Sequence, residues 1–225
     1  MIALYRQFVA PGDLVFDIGS HVGDRIGAFR AIGARVVAVE PQPAAFAWLK
    51  MCYGRDPKVH LVQAAVSDRA GGLTLHLNLA NPTVSTASSA FIESTRGARG
   101  WQGQHWDDTI TVPAVTIDDL IARHGEPAFV KIDVEGFELN ALQGLSRALK
   151  SLSFEFTAVQ QDMALACLDR LGTLGGYGFN AAVGESQRLE HPAPVSAAEM
   201  AGYLRSLPPE ATSGDIYAVL QNPRR

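Results

Sequence analysis

Short apolar runs alternate with stretches of helical period along this chain almost from its start. Leu14–Ile18 is a short apolar run ending in a glycine-bearing turn, the pattern of a buried strand. Val22, Ile26, Phe29 and Ile32 then recur at helical spacing, with Gly33 placed to stop the helix. Arg35–Glu40 is the next strand, Pro41 and Pro43 precede a helix over Ala44–Tyr53, and His60–Val66 is a third strand. Leu73, Leu75, Leu77 and Leu79 alternate with Thr74, His76 and Asn78, so this strand has one wet face.

The rhythm breaks at residue 80. From Ala80 to Asp108 the chain is rich in Ser, Thr, Gly, Arg and Trp, and an excursion of this length in a compact domain is functional or disordered. Order resumes with a strand at Thr109–Val115, a capping-box start at Thr116 and Asp119 for a helix to His124, and a strand at Phe129–Asp133. A helix over Gly136–Lys150, a strand at Leu152–Phe156, and a helix carrying Met163, Cys167 and Leu171 up to Gly175-Gly176 follow. Gly178–Val183 and Asp215–Leu220 are two late strands. Repeated strand–helix alternation implies an open, mostly parallel α/β sheet with helices on both faces.

A chain of 225 residues is the size of one domain, read as 1–225 with a substrate-side excursion at 80–112. With 47% hydrophobic and 19% charged residues, disorder is excluded. A net charge of −4 argues against non-specific binding to nucleic acid or to an anionic membrane. Cys52 and Cys167 stand far apart with no CxxC pair, so neither a zinc site nor a disulfide framework is expected, and reduced core cysteines in a cytoplasmic enzyme are. No run approaches the roughly 18 apolar residues that span a bilayer.

In such sheets ligands sit at the carboxyl ends of the strands, where strand order reverses. The first strand ends in Asp17-Ile18-Gly19-Ser20-His21-Val22-Gly23-Asp24. Its D-x-G-x-x-x-G spacing is not the G-x-G-x-x-G of nicotinamide binding, which disfavours an oxidoreductase. An acid before the glycine repels a pyrophosphate but can accept from an ammonium group; a purely structural turn is the alternative. The second strand ends in Glu40, 21 residues beyond Gly19, where a carboxylate can grip both hydroxyls of a ribose. The third ends in Ser67-Asp68, where an acid can accept from an adenine amine. Three successive strand ends each carrying an acid are harder to obtain by chance than one.

The turn DIGSHVGD, the VEPQP after the second strand, AVSD after the third and above all TIDDLI…VKIDVEGFELNALQG resemble the FkbM family of S-adenosylmethionine-dependent methyltransferases, over roughly Asp13 to Phe156. The resemblance implies the Rossmann-like class I methyltransferase fold, a seven-stranded sheet with an antiparallel edge strand at Asp215–Leu220. It implies O-methylation of a hydroxyl on a sugar, glycolipid or natural product. Carried over by position, Asp17, Gly19 and Gly23, with Ser20 in the same turn, would hold the methionine part of the donor. Glu40 would take its ribose, and Asp68 with Ser67 its adenine.

Asp133 and Glu135, at the end of the fourth core strand, are the candidate catalytic pair. Asp133 would be the acid nearest the reacting centre, with Glu135 orienting donor or acceptor or else only capping the next helix. Glu155, inside the apolar SFEF, is a site acid or an edge residue facing water. Ser88, Ser89 and His105 are the acceptor-side candidates of the excursion, which is expected to close over the acceptor. No spacing requires a metal. Many relatives have a longer segment before the first strand, so the acceptor site is expected to be more open here or completed by a second subunit. The other class of function open at this point is a non-catalytic S-adenosylmethionine-binding domain.

Overall fold

The computed structural model describes residues 1–208 and 213–221. A short helix α1 (Ile2–Tyr5) leads into β1 (Leu14–Ile18), α2 (Asp24–Ile32), β2 (Arg35–Val39), α3 (Pro43–Tyr53) and β3 (Val59–Val62). The chain then passes through β4 (Ala65–Val66) and β5 (Gly71–Leu77), a 3-10 turn at Pro82–Val84, α4 (Ser89–Thr95) and β6 (Asp108–Val115). After them come α5 (Ile117–His124), β7 (Phe129–Ile132), α6 (Glu138–Gln143), β8 (Ser151–Thr157), α7 (Gln161–Leu174), β9 (Tyr177–Val183), α8 (Ala197–Ser206) and β10 (Ser213–Leu220).

Seven strands form one sheet in the order β3-β2-β1-β7-β8-β10-β9. Every pairing is parallel except those of β10, which runs antiparallel to both β8 and β9. The odd strand is therefore Asp215–Leu220 as expected, but it is not an edge strand: β9 lies outside it. Strand order reverses between β1 and β7, so the connections leaving these two strands diverge and open a crevice at their carboxyl ends.

Alternation along each strand divides the core between the two faces. Leu14, Phe16 and Ile18 of β1 pack with α5, α6, α7 and α8, whereas Val15 packs with α1 and α2 on the other face. Asp17 shares the face of Val15, and the register places it beside Lys131 of β7, which in turn faces Ser153 of β8 and, beyond it, Tyr217 of β10. A polar row thus crosses the middle of an otherwise apolar layer.

The expected strand over His60–Val66 is two strands. The chain leaves the main sheet after Val62, and Ala65–Val66 pairs instead with Ala114–Val115 in a separate three-stranded sheet, β4-β6-β5. An apolar run reads the same whichever sheet it joins. The helix expected over Gly136–Lys150 is also shorter. Gly144 ends it, lying so close to the Ser67 carbonyl oxygen that a Cβ has no room, and its own carbonyl accepts from the Asp118 amide at 3.1 Å. Leu145 and Leu149 still reach the core from irregular chain.

The Thr116–Asp119 capping box forms as expected, each partner bonding the other's backbone. An equivalent box, Ser196 with Glu199, starts α8, an element absent from the sequence reading. Cys167 is buried, but Cys52 lies on the exposed face of α3. Among the described residues no helix is long and apolar enough to cross a membrane.

Candidate active site

The carboxyl ends of β1, β2, β7 and β8 surround a cavity of about 400 Å³. Gly19, Ser20, His21 and Arg25 form one side, Glu40–Gln42 and Ala64–Val66 the next, and Asp133–Glu135 with Glu155 the floor. The small sheet adds Leu73 and Leu75, the excursion adds Thr83, Ser85 and Ala87, and Glu185 comes from the loop after β9.

Gly19 is obligatory at the first strand's tip. Its φ is +81°, and a Cβ there would overlap the Asp133 carbonyl oxygen. The tips of β1 and β7 pack this closely because the Asp133 amide donates to the Ile18 carbonyl at 2.9 Å. The glycine thereby lets Asp133 stand against the turn. Gly23, with φ +90°, has a different role: a Cβ would meet the Tyr53 ring at 2.6 Å and Leu49 at 2.9 Å, so it lets α2 pack on α3.

Glu40 is 2% exposed, and its carboxylate accepts from the His21 amide through Oε2 and the Gln42 amide through Oε1, each at 2.8 Å. Burial pushes its pKa up to about 7, against the lowering effect of those two bonds. The His21 amide is aimed this way by a left-handed residue, φ +45°.

Three carboxylates converge at the tips of β7 and β8. Asp133, Glu135 and Glu155 offer oxygens that all lie within 4.8 Å of one another. Lys131, wholly buried, sets Nζ 3.0 Å from Asp133 Oδ2 and 2.8 Å from Asp215 Oδ1, and Arg25 reaches Asp133 Oδ2 at 3.5 Å. Burial opposes the charge of Asp133, but Lys131 and Arg25 outweigh it and hold the carboxyl below its usual range. Glu135 and Glu155 have the reverse balance. Burial, then the charge of Asp133, raises both well above the usual range. The trio therefore has one fixed anion and two groups disposed to hold protons. Lys131 and Arg25 already bring to Asp133 positive charge of the kind a divalent ion would supply.

The Methyltransferase FkbM domain model matches residues 17–205, from the acid of the first strand's tip to the end of α8. The chain belongs to the FkbM methyltransferase family. The hexuronic acid methyltransferase AglP of Haloferax volcanii is 29% identical over 157 residues, 68% of this chain and 59% of that protein, so the match spans about three fifths of the relative's length. Among solved structures, a precorrin-6y C5,15-methyltransferase from Geobacter metallireducens aligns with 98% of this chain and 85% of its own, at 13% identity and a TM-score of 0.48. A TehB-like SAM-dependent methyltransferase from Corynebacterium glutamicum aligns with 98% of this chain and 86% of its own, at 14% identity and a TM-score of 0.49. The mostly parallel seven-stranded sheet of this FkbM chain is the architecture that its sequence resemblance implied, apart from the place of the antiparallel strand.

The FkbM chain brings together on the cavity wall Gly19, Ser20, Glu40, Asp133, Glu135 and Glu155. Seven expected residues lie off it by their position or their bonding. Asp17 is fully buried behind the wall, with neither carboxylate oxygen hydrogen-bonded, and burial raises its pKa to about 6. Ser67 and Asp68 bond each other at 2.9 Å beyond the wall, since β3 ends at Val62 and the residues that reach the cavity are Ala64–Val66. Ser88 caps α4, accepting from the Phe91 amide at 3.0 Å. Ser89 and His105 are exposed and Gly23 packs on α3, and none of the three lines the cavity. The excursion is folded onto the acid loop, with Phe91 buried against Gly136 and Trp101 edge-on to Phe91 at 5.1 Å.

Sequence reading missed Arg25, Lys131, Asp215 and Glu185. A lysine inside a strand otherwise made of Phe, Val and Ile was a signal for Lys131, because a cation is buried there only with partners. Arg25 and Asp215 carry no such mark.

Proposed function

We propose that this chain transfers a methyl group from S-adenosylmethionine to a hydroxyl of a sugar, a glycolipid or a related natural product. The reading rests on one observation: the Asp133–Glu135–Glu155 trio stands on the wall of the same cavity as Glu40. Asp24, Glu40, Asp133, Glu135, Glu155 and Glu185 line that cavity against the cationic Arg25, a donor set suited to a ligand bearing a sulfonium and an ammonium. The relative named for a hexuronic acid favours a sugar acceptor.

When bound, S-adenosylmethionine supplies an electrophilic methyl group on a positively charged sulfur. Glu40, fixed by two backbone amides, retains lone pairs for the two hydroxyls of the ribose. Ser20 and the Gly19 turn would hold the methionine part, and Ala64–Val66 with Leu73 and Leu75 would offer an apolar wall for the adenine. Asp17, buried and unpaired behind the turn, adds negative potential without contact.

Asp133 serves as the permanent anion facing the donor, since Lys131 and Arg25 keep it ionised. Glu135, once the cationic donor beside it favours its ionised form, would take the proton from the acceptor hydroxyl, and its raised affinity for a proton suits it to that step, an effect worth about 10²–10⁴-fold. The roles thus differ from the sequence expectation, in which Asp133 was nearest the chemistry and Glu135 its partner.

The test is transfer of labelled methyl from S-adenosylmethionine to a panel of sugars, uronic acids and glycolipids. Glu135→Gln should bind S-adenosylhomocysteine as the parent does and lose transfer by about 10²–10⁴-fold. Donor binding by the parent with no transfer to any acceptor would favour the non-catalytic alternative. An unchanged rate in Glu135→Gln would remove it as the base.

A further inference from the structure

We propose that Thr86 is a positioning residue for Glu135, tying the acid loop to the small sheet that walls the cavity. The inference rests on the role given above to Glu135.

Glu135 has φ +54° and Gly136 follows with φ +83°, two consecutive left-handed residues of which the first has a Cβ. A non-glycine residue stays in that region only when its surroundings hold it there. Two contacts do so. The Thr86 hydroxyl donates to the Glu135 carbonyl oxygen at 2.6 Å, and Gly136 is wedged between Phe91 and Gln160 with no room for a Cβ.

The hydroxyl has no freedom to turn away. Thr86 is completely buried, and its Oγ1 also accepts from the Ser88 amide at 2.8 Å, which leaves its proton only the Glu135 carbonyl. Its backbone is equally fixed, exchanging hydrogen bonds of 2.8 and 3.0 Å with His76 of β5. Leu73 and Leu75 of the same strand line the cavity, as do Ser85 and Ala87 on either side of Thr86. One continuous hydrogen-bonded path therefore runs from the small sheet to the loop that aims the Glu135 carboxyl. Asp133, Glu138 and Glu155 surround that carboxyl with negative charge and Lys131 and Arg25 with positive, so a small displacement changes its proton affinity as well as its aim.

Thr86→Val keeps the shape and removes the donor; Thr86→Ser keeps the donor. In Thr86→Val, amide hydrogen exchange over Val134–Phe137 should quicken by about tenfold, the worth of one buried hydrogen bond. Methyl transfer should fall in kcat by about 100-fold with KM for the donor unchanged, as expected of a misaimed group. The limb of the pH–rate profile that reports Glu135 should also move, and Thr86→Ser should restore all three properties. Normal kcat and pH profile in Thr86→Val would overturn the proposal, as would an equal loss in both variants. Should Thr86→Val not fold, Thr86→Cys, a weaker donor, carries the same comparison. The exchange measurement needs no acceptor. If the parent transfers methyl to nothing, the functional reading fails by itself, while unchanged exchange in the variant overturns the tether.

Discussion

Lys131 and Asp133 stand two residues apart at the tip of β7, with the buried ammonium of the first 3.0 Å from the carboxylate of the second. The same ammonium lies 2.8 Å from Asp215, which arrives from the antiparallel strand 84 residues later in the chain. The side-chain exposures are 0% for Lys131, 18% for Asp133 and 14% for Asp215. One cation thus joins the chemical end of the sheet to its late strands and keeps Asp133 charged.

Lys131→Met should be strongly destabilising. It leaves two carboxylates facing each other in the sheet, and breaking a buried pair by removing one partner costs about 3–5 kcal/mol. Urea unfolding at neutral pH measures this. The Lys131→Met, Asp215→Leu double variant should recover part of the loss, and no recovery would mean that the charges are not coupled.

Gly19→Ala tests the contact between the tips of β1 and β7. The left-handed backbone alone costs about 1–3 kcal/mol with a Cβ, and the methyl would also displace the Asp133 carbonyl. Loss of both stability and methyl transfer is expected. Gly23→Ala, which presses on Tyr53 and Leu49, should lower stability while donor affinity of the folded fraction is retained.

Glu40→Gln should weaken S-adenosylhomocysteine binding. Hydrogen bonds to a charged group are worth about 1.5–3 kcal/mol, or about 10- to 150-fold in affinity. Calorimetric titration reads it directly, and an unaltered affinity would take Glu40 out of the ribose site.

Stability should depend on pH in a direction opposite to the common one. Burial raises Asp17 from 3.8 to about 6, and Glu40 and Glu138 from 4.5 to about 7. Across that window the folded protein holds more protons than the unfolded chain, so stability falls as pH rises. Asp133, held low, works the other way, and its contribution is lost only in stronger acid, as pH drops below 3.8 through its folded value. The donor-free protein should therefore resist urea better near about pH 5.5 than near about pH 8. Saturation with the cationic donor should shrink the difference, because positive charge favours the ionised acids. A donor-free protein more stable at the higher pH would contradict the burial of these carboxyls.

The order of most strands and helices, α4 and α8 excepted, and the acids at the first two strand tips, were legible in the sequence because burial on both faces writes apolar runs and a turn demands glycine. The place of Glu40 on the cavity wall could be read from spacing, since a βαβ unit has a set length. Three things were not legible. The run at residues 60–66 is split between two sheets, and apolar periodicity is blind to which neighbour a strand pairs with; that moved the cavity wall from Ser67 and Asp68 to Ala64–Val66. The division of labour among Asp133, Glu135 and Glu155 is set by Lys131, Arg25 and Asp215, whose charges meet only through the register of β7, β8 and β10. The excursion reads as loop because its order comes from Phe91, backed by Trp101, closing on Gly136 and from Thr86 closing on Glu135, contacts between residues distant in the chain. Local pattern specified which segments form; charge state and aim at the site were decided by what long-range packing set side by side.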